Sequence, residues 1–570
     1  MEGIDELYQQ PPYDDLLKIF QQSFADNFSL PALTDYISGK TITYGDMARR
    51  IARLHLFFEL AGVRRGDKVA LLGKNTPNWV ITFMAAVTYG AVIVPVLHDF
   101  SPTDATHIIN HSDAVMLFVS DGIFHNLDYE ALPLVRAVVS LDTRTVVAER
   151  TVPGTGSSHA SIVRNLTRRF RKKYPGGFSA ADILYPKVAG SETALINYTS
   201  GTTGYSKGVM LTLDNLRGNV AFGIRSRLHF AGSRALSFLP LAHAYGCAFD
   251  MLVPLAVGSH ITLLGKVPTP ALLLKALKHV RPNLIICVPL ILEKIYRKVV
   301  VPMITRKPMR WVLAVPMMDK AVYAIIRTKL VEAFGGAFEE VIVGGAPLNR
   351  EVEDFLYKIK FPFTVGYGMT ECGPLISYTP WRRFVPGSSG RTLKGLMQAK
   401  ILVDESLGKN GQGEIMVRGL NVMKGYYKNP EATEAALEED GWLHTGDMGF
   451  LGDPDNRTVF IRGRYKTMIL TATGQNIYPE EIESKLSNMP YVNECLVIER
   501  SGHLVALCHP DTEAVAAAGI DDEHLRRIME ENRVNLNHLV APYEHVEEIE
   551  IMPEEFEKTP KRSIRRFLYK

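Results

Sequence analysis

Paired cysteines are missing from this chain of 570 residues. Its five thiols, Cys247, Cys287, Cys372, Cys495 and Cys508, are scattered through apolar runs without a C-x-x-C pair. An odd, dispersed set argues against a disulfide framework or a cysteine zinc site and fits reduced thiols. A strong net charge is missing too: 64 Lys and Arg against 61 Asp and Glu leave +3. No global field points to nucleic acid, so any basic patch must be local. No apolar run is built to span a bilayer. The longest, 235–264, is broken by His243, Asp250 and His260 and predicts a buried strand, helix and strand. The opening MEGIDELYQQPPYDD lacks the apolar core of a secretory signal, so a cytoplasmic protein is expected. No internal repeat is visible, and nothing in the sequence sets an oligomeric state.

What is present is an ordinary globular balance, 46% hydrophobic and 22% charged, in a chain long enough for more than one domain. Its organising stretch is 198–212, YTSGTTGYSKGVMLT. Thr199, Ser200, Thr202, Thr203 and Ser206 supply hydroxyls, Gly201, Gly204 and Gly208 supply freedom, and Lys207 is the only charge. Such a segment can wrap a phosphate chain, because glycines permit close approach while amides, hydroxyls and one ammonium bind anionic oxygens. It is not a Walker loop, since Tyr205 and Ser206 separate Gly204 from Lys207. The plainer alternative is a polar turn between two apolar strands.

Along the chain, strands at 69–72, 91–95 and 114–119 alternate with helices at 47–60, 75–89 and 103–111, the signature of a parallel sheet covered on both faces. Between 144 and 191 the pattern dissolves into Gly, Ser, Pro and basic residues, including Arg168, Arg169, Arg171, Lys172 and Lys173. That stretch reads as an exposed, mobile connector in preference to an anion or membrane contact. Strand and helix resume at 261–264, 270–280, 284–287 and 338–343. Residues 291–330 mix Lys294, Arg297, Lys298 and Lys329 with Trp311, Met317, Tyr323 and Ile325. They suit either a contact with an anionic bilayer surface or a helical layer packed on the sheet. After Gly419 short strands and turns prevail, and from 478 interleaved strands and helices predict a small α+β domain.

Five collinear segments carry a resemblance to the adenylate-forming superfamily: 198–212, Gly366-Tyr-Gly-Met-Thr-Glu371, Thr445-Gly-Asp447, Gly463-Arg464 and 474–481, GQNIYPEE. Pro240-Leu-Ala-His243-Ala-Tyr245 and Tyr198-Thr-Ser-Gly201 look most like its long-chain fatty acid:CoA ligases. The resemblance implies a large α/β adenylation domain with mixed and parallel sheets covered by helices and a distorted β-subdomain, here 1–464. A small mobile α+β lid domain, 465–570, would follow.

It also implies two reactions: a fatty carboxylate attacks the α-phosphate of ATP to give acyl-AMP and pyrophosphate, then CoA thiol displaces AMP. Thr199, Ser200, Gly201, Thr202, Thr203, Gly204 and Lys207 would hold the phosphates. Glu371 would hold Mg²⁺ and Thr370 would sit at the α-phosphate. Gly344, Gly345, Ala346 and Tyr367 would form the adenine slot, Gly368 and Met369 would also contact ATP, Asp447 would hold the ribose, and Arg464 would assist at the ribose or phosphate. His243 would stand between acyl tunnel and adenylate, Lys466 at the hinge, and Gly474 on the CoA tunnel.

The family's C-terminal lysine is replaced by Lys558-Thr-Pro-Lys561-Arg562-Ser563. Ser563 falls on its position, Lys561 is the first candidate to replace it, and Arg562 is the second. Each motif also has a plainer reading, Glu371 as a helix-terminal carboxylate and His243 as a core residue. Asp250 reads as structural. The expected partners are fatty acid, ATP and CoA, with no nucleic acid. The alternatives are an acyl-AMP ligase that loads a carrier protein and a silent nucleotide- or lipid-binding homologue.

Overall fold

A computed structural model describes residues 5–150, 158–199, 207–304, 318–403, 411–452, 455, 457–470, 476–558 and 564–569. The predicted parallel sheet is its first layer. Five parallel strands run in the order Thr193–Thr199, Val92–Val96, Lys68–Leu72, Ala114–Val119 and Ala137–Ser140, with antiparallel strands on both flanks. The apolar runs are continuous because both faces are buried. Val69, Leu71, Met116 and Phe118 point into the main core, while Ala70, Leu72, Leu117 and Val119 fill a second core on the other face. Helices Tyr44–Leu60, Pro77–Tyr89 and Pro102–His111 supply the covers, each opened by the hydroxyl of Thr43, Thr76 or Ser101.

The passage 235–264 is strand Arg234–Ser237, a helical stretch containing the π-helical turn Cys247–Leu252, and strand His260–Leu263. Those strands join Pro31–Asp35 and Thr41–Thr43 in a second sheet. It continues toward the parallel trio Ile285–Cys287, Val341–Val343 and Phe363–Val365 through Arg234, whose amide donates to Asn283 and whose carbonyl accepts from it. A seven-stranded antiparallel sheet, from Tyr367–Gly368 to Met397–Val403, follows. The small α+β domain is built on strands Val492–Arg500, His503–Pro510 and Val546–Ile551. It has its own core, including Ile482, Leu496, Ala506 and Leu525.

One expectation is overturned. The span 144–191 is not a connector: it contains strand Val146–Glu149 and helix His159–Lys173, capped by Ser158. Ile162, Leu166 and Phe170 recur every four residues and are buried. Six Lys and Arg residues share the same turns and hide that stripe from a composition reading. Within 291–330, Val322, Ile326 and Leu330 repeat the same spacing and are also buried, so the apolar side of this helix packs on the protein. Trp311 and Met317 lie outside the described residues. Among the described residues no helix is long and apolar enough to cross a membrane.

Candidate active site

Thr199 pairs with Lys207 where strands Thr193–Thr199 and Lys207–Thr212 form an antiparallel hairpin. Ser200, Gly201, Thr202, Thr203 and Gly204 lie outside the described residues, but both ends of their loop are fixed. The Lys207 ammonium lies 4.7 Å from the centroid of the Tyr426 ring, and the Tyr426 hydroxyl donates to Glu371 Oε1 at 3.0 Å. One tyrosine thus bridges the candidate phosphate lysine and the candidate metal carboxylate. Burial, reinforced by the Glu371 charge, pushes the Tyr426 phenol pKa up, so it stays a neutral donor.

Glu371 sits in the single turn Thr370–Cys372. Its carbonyl accepts from the Met423 amide at 2.8 Å, and two buried asparagines on helix Leu213–Arg225 hold the surrounding loops. Asn219 accepts from the Leu375 amide and donates to the Cys372 carbonyl, while Asn215 donates to the carbonyls of Leu420 and Val422. A buried amide is costly unless paired, and these pairs fix loops that carry no regular ladder.

The second group forms around Asp447, only 4% exposed. It faces Arg464 across neighbouring strands. Oδ1 pairs with Arg464 Nε at 2.7 Å, and Oδ2 accepts from the Tyr367 hydroxyl at 2.6 Å. Burial raises the carboxyl pKa, while Arg464 and the Tyr367 hydroxyl oppose the rise. Each oxygen keeps a second lone pair for a further donor. Tyr367, Gly344, Gly345 and Gly368 line one narrow cavity of about 50 Å³ with Tyr245 and Phe249. At Gly368 an added Cβ would meet the Pro374 carbonyl oxygen at 2.3 Å, so only glycine fits. Ala346 is exposed and not part of this lining.

Tyr245 and Gly345 also line a cavity of about 300 Å³ that includes His243, Leu239, Val288 and Ile291. His243 is set by its neighbours: Asn75 donates to Leu239 O and accepts from the Leu241 amide, and Asn197 donates to Ala242 O. Asn197 belongs to the strand that ends at Thr199, so that strand also supports the segment preceding His243. Asp250 is buried behind this wall, with one carboxyl oxygen unpartnered and its pKa driven up by burial.

The whole matches known proteins. The AMP-binding enzyme family aligns with residues 20–427. The chain belongs to that family. This adenylate-forming enzyme is similar to long chain acyl-CoA synthetase 7, peroxisomal, of Arabidopsis thaliana: 30% identical over 524 residues, 86% of this chain and 72% of the relative. Equally similar is 4-coumarate--CoA ligase 4 of the same plant, 29% identical over 502 residues, 84% of this chain and 79% of the relative. Its fold is that of MatB from Rhodopseudomonas palustris with ATP bound, with a TM-score of 0.73 at 22% identity and coverage of 97% and 98%.

The small domain meets the large one through polar contacts. Asn349 and Asn488 exchange reciprocal amide hydrogen bonds at 2.7 and 3.0 Å, and Arg297 donates to Ser487 O. Lys466 is exposed in the turn Tyr465–Thr467 that directly follows strand Thr458–Arg464. Gly474, Lys561, Arg562 and Ser563 lie outside the described residues. On either side of the latter three, Lys558 pairs with Glu494 at 2.7 Å and Arg566 pairs with Glu483. Those two flanking bases serve to seat the tail.

Sequence reasoning missed Tyr426, Asn215, Asn219 and Asn197. Only Gly425-Tyr426-Tyr427 carried a signal, a glycine-tyrosine step between loops, and its partner strand lies more than two hundred residues earlier.

Proposed function

We propose that this acyl-CoA ligase activates a medium- or long-chain fatty acid as acyl-AMP and transfers the acyl group to CoA, releasing AMP and pyrophosphate. The observation that carries the substrate reading is the cavity containing His243. Its walls, Phe238, Leu239, Val267, Leu273, Val288 and Ile291, are apolar, and it adjoins the Tyr367 slot through Tyr245 and Gly345. A hydrocarbon chain would fill the walls while its carboxylate reaches the slot.

The carboxylate oxygen then attacks the α-phosphorus, and the bond to pyrophosphate breaks. Two anions must meet, so oriented positive charge matters most. Lys207 and the loop from Thr199 would neutralise the leaving pyrophosphate, Thr370 would donate to the α-phosphate, and Asp447 would accept from the ribose. His243 would position the carboxylate and need not move a proton, since a fatty acid is ionised at neutral pH. Glu371 is the residue that would hold Mg²⁺, and one carboxylate with phosphate oxygens and water suits that ion. The ion would supply charge neutralisation at the phosphates. In the second step the CoA sulfur attacks the acyl carbonyl carbon and AMP departs. We take 464/465 as the domain boundary and Lys466 as the hinge, because one site cannot present a lysine from the tail and a thiol tunnel at once. Exposed Leu290, with Lys294 on the same cavity rim, would meet the anionic surface from which such a chain is taken up.

A planar aromatic acid is the second reading, favoured by the cavity's volume of about 300 Å³, at the lower end for ligand sites. Pyrophosphate release and thioester formation are to be compared across fatty acids of graded length and 4-coumarate, with CoA or a holo-carrier protein as acceptor. Fatty acids with CoA should give the highest kcat/KM. Preference for 4-coumarate, or for the carrier, would overturn the reading.

A further inference from the structure

A second cavity, of about 430 Å³, lies under the basic helix His159–Lys173 and shares no lining residue with the acyl cavity or the slot. Four guanidiniums border it. Arg49 and Arg50 are neighbours on helix Tyr44–Leu60 and Arg53 lies one turn further on, while Arg144 comes from the turn that leaves strand Ala137–Ser140. The floor is apolar: Phe57, Ile81 and Phe118 are core residues, and Leu166 of the basic helix closes one side.

The protein balances these charges only in part. Arg49 is held by Asp46 at 2.6 Å. Arg53 donates to Thr167 Oγ1 at 2.7 Å and faces the Phe170 ring. Among the described residues Arg50 and Arg144 have neither a side-chain hydrogen bond nor a carboxylate within ion-pair distance. Asp46, already engaged, is the one carboxylate acting on Arg50, while burial and then Arg144 lower the pKa of Arg50.

The turn that carries Arg144 is itself built. Ser140 Oγ accepts from the amides of Asp142 and Thr143, and the Arg144 amide donates to Ser140 O. Arg144 adopts φ +60°, a left-handed conformation unfavourable for a side chain of this size. Glycine or asparagine would relax the turn, so its stability does not account for the arginine. Like charges gathered over an apolar floor, with one of them on a strained turn, cost stability unless an anion joins them.

We propose that this cavity is a second ligand site, for an amphipathic anion whose phosphate or carboxylate lies between Arg50 and Arg144 and whose apolar body rests on Phe57, Ile81 and Phe118. Its volume falls within the range of ordinary ligand sites. It lies near the His243 cavity in the chain: Asn78 lines it and donates to Leu141 O, while Asn75, three residues earlier, lines the His243 cavity and holds Leu239. The proposal does not depend on the substrate reading above.

The test uses the full chain, with dodecyl phosphate, inorganic phosphate and phosphatidylglycerol vesicles as probes in calorimetry and thermal melts. Dodecyl phosphate resembles a fatty acid, so sites are told apart by variants. Arg50→Gln/Arg144→Gln should weaken one dodecyl phosphate site about tenfold or more, as expected for two charge-assisted contacts. It should also abolish that site's contribution to ligand-induced stabilisation, while leaving the kcat of fatty-acid-dependent pyrophosphate release unchanged without the probe. The variant removes repulsion, so its own melting temperature should equal or exceed that of the native chain. Arg50→Lys/Arg144→Lys, which keeps the charge, should retain the site at several-fold lower affinity. Unchanged dodecyl phosphate binding in the Gln variant would overturn the proposal. So would inorganic phosphate binding as tightly as dodecyl phosphate, or binding to vesicles alone, which would instead make the basic helix a membrane contact.

Discussion

The two sides of the candidate active site are held together in different ways. On the large-domain side, Lys207, Tyr426 and Glu371 form one chain of contacts, and Arg464, Asp447 and Tyr367 form another. Buried asparagines tie the loops around Glu371 to the neighbouring helix. On the small-domain side the contacts include polar pairs, Asn349 with Asn488 and with Ser484 O, Arg297 with Ser487 O and Arg462 with Glu481 at 3.3 Å, together with the Tyr478 ring beside Gly463. Interfaces of that kind yield to domain rotation more readily than apolar ones. The difference teaches that the contacts around Glu371 and Asp447 are set within the large domain itself, whereas the proposed lid is held by polar pairs that a rotation could exchange.

The hardest attempt to break this contrast is to empty the large-domain side. Lys207→Ala and Glu371→Ala should each lower acyl-adenylate formation about 10²–10³-fold, the scale of a lost transition-state charge contact. ATP–pyrophosphate exchange with circular dichroism as a folding control reads this. Near-normal exchange in either folded variant would mean the phosphate and metal positions are wrong.

Tyr426→Phe keeps the ring under Lys207 and removes only the hydroxyl to Glu371, so a loss of about tenfold is expected in the same assay. If the loss matched that of Glu371→Ala, the tyrosine would be acting on the substrate directly. On the other side, Asn349→Ala/Asn488→Ala should leave adenylation within about twofold and shift thioester formation by a few fold, because it alters only the balance of lid orientations. Single-turnover assays of each half-reaction separate the two. A collapse of adenylation would show that the lid interface is fixed as firmly as the site opposite it.

The smallest effect concerns acid. His229 in the large domain is buried, both ring nitrogens lack partners among the described residues, and burial lowers its pKa to about 4. The folded value lies below the unfolded one of about 6.5, so its contribution is full above that pH and is lost as pH falls toward 4. At pH 5 the loss is about 2 kcal/mol. Unfolding followed between pH 7 and 5 should be less pH-dependent in His229→Gln by that amount, with the large domain the part affected.

Much of the fold was legible because both signals that carry it are local. Alternating strands and helices from 41 to 119 stand where hydrophobic runs and the caps Thr43, Thr76 and Ser101 put them. Helix Pro270–Val280 coincides with its predicted span. The helix His159–Lys173 was hidden because its buried stripe is thin and its charge is loud. The pairing of Lys207 with Tyr426, and of Asp447 with Tyr367, was not legible at all. Each joins residues that only sheet registers bring together.

By itself, the sequence pointed to the family and to candidate positions: a hydroxyl- and glycine-rich stretch with one lysine, Glu371 and Asp447, and an apolar run around His243. Composition and order suffice for that, since the chemistry resides in the side chains. Only the tertiary structure decided which residue bridges which, that the acyl cavity and the slot meet at Tyr245 and Gly345, and that four arginines gather over an apolar floor. Those are matters of distance between segments remote in the chain, set by strand register and helix packing rather than by local preference.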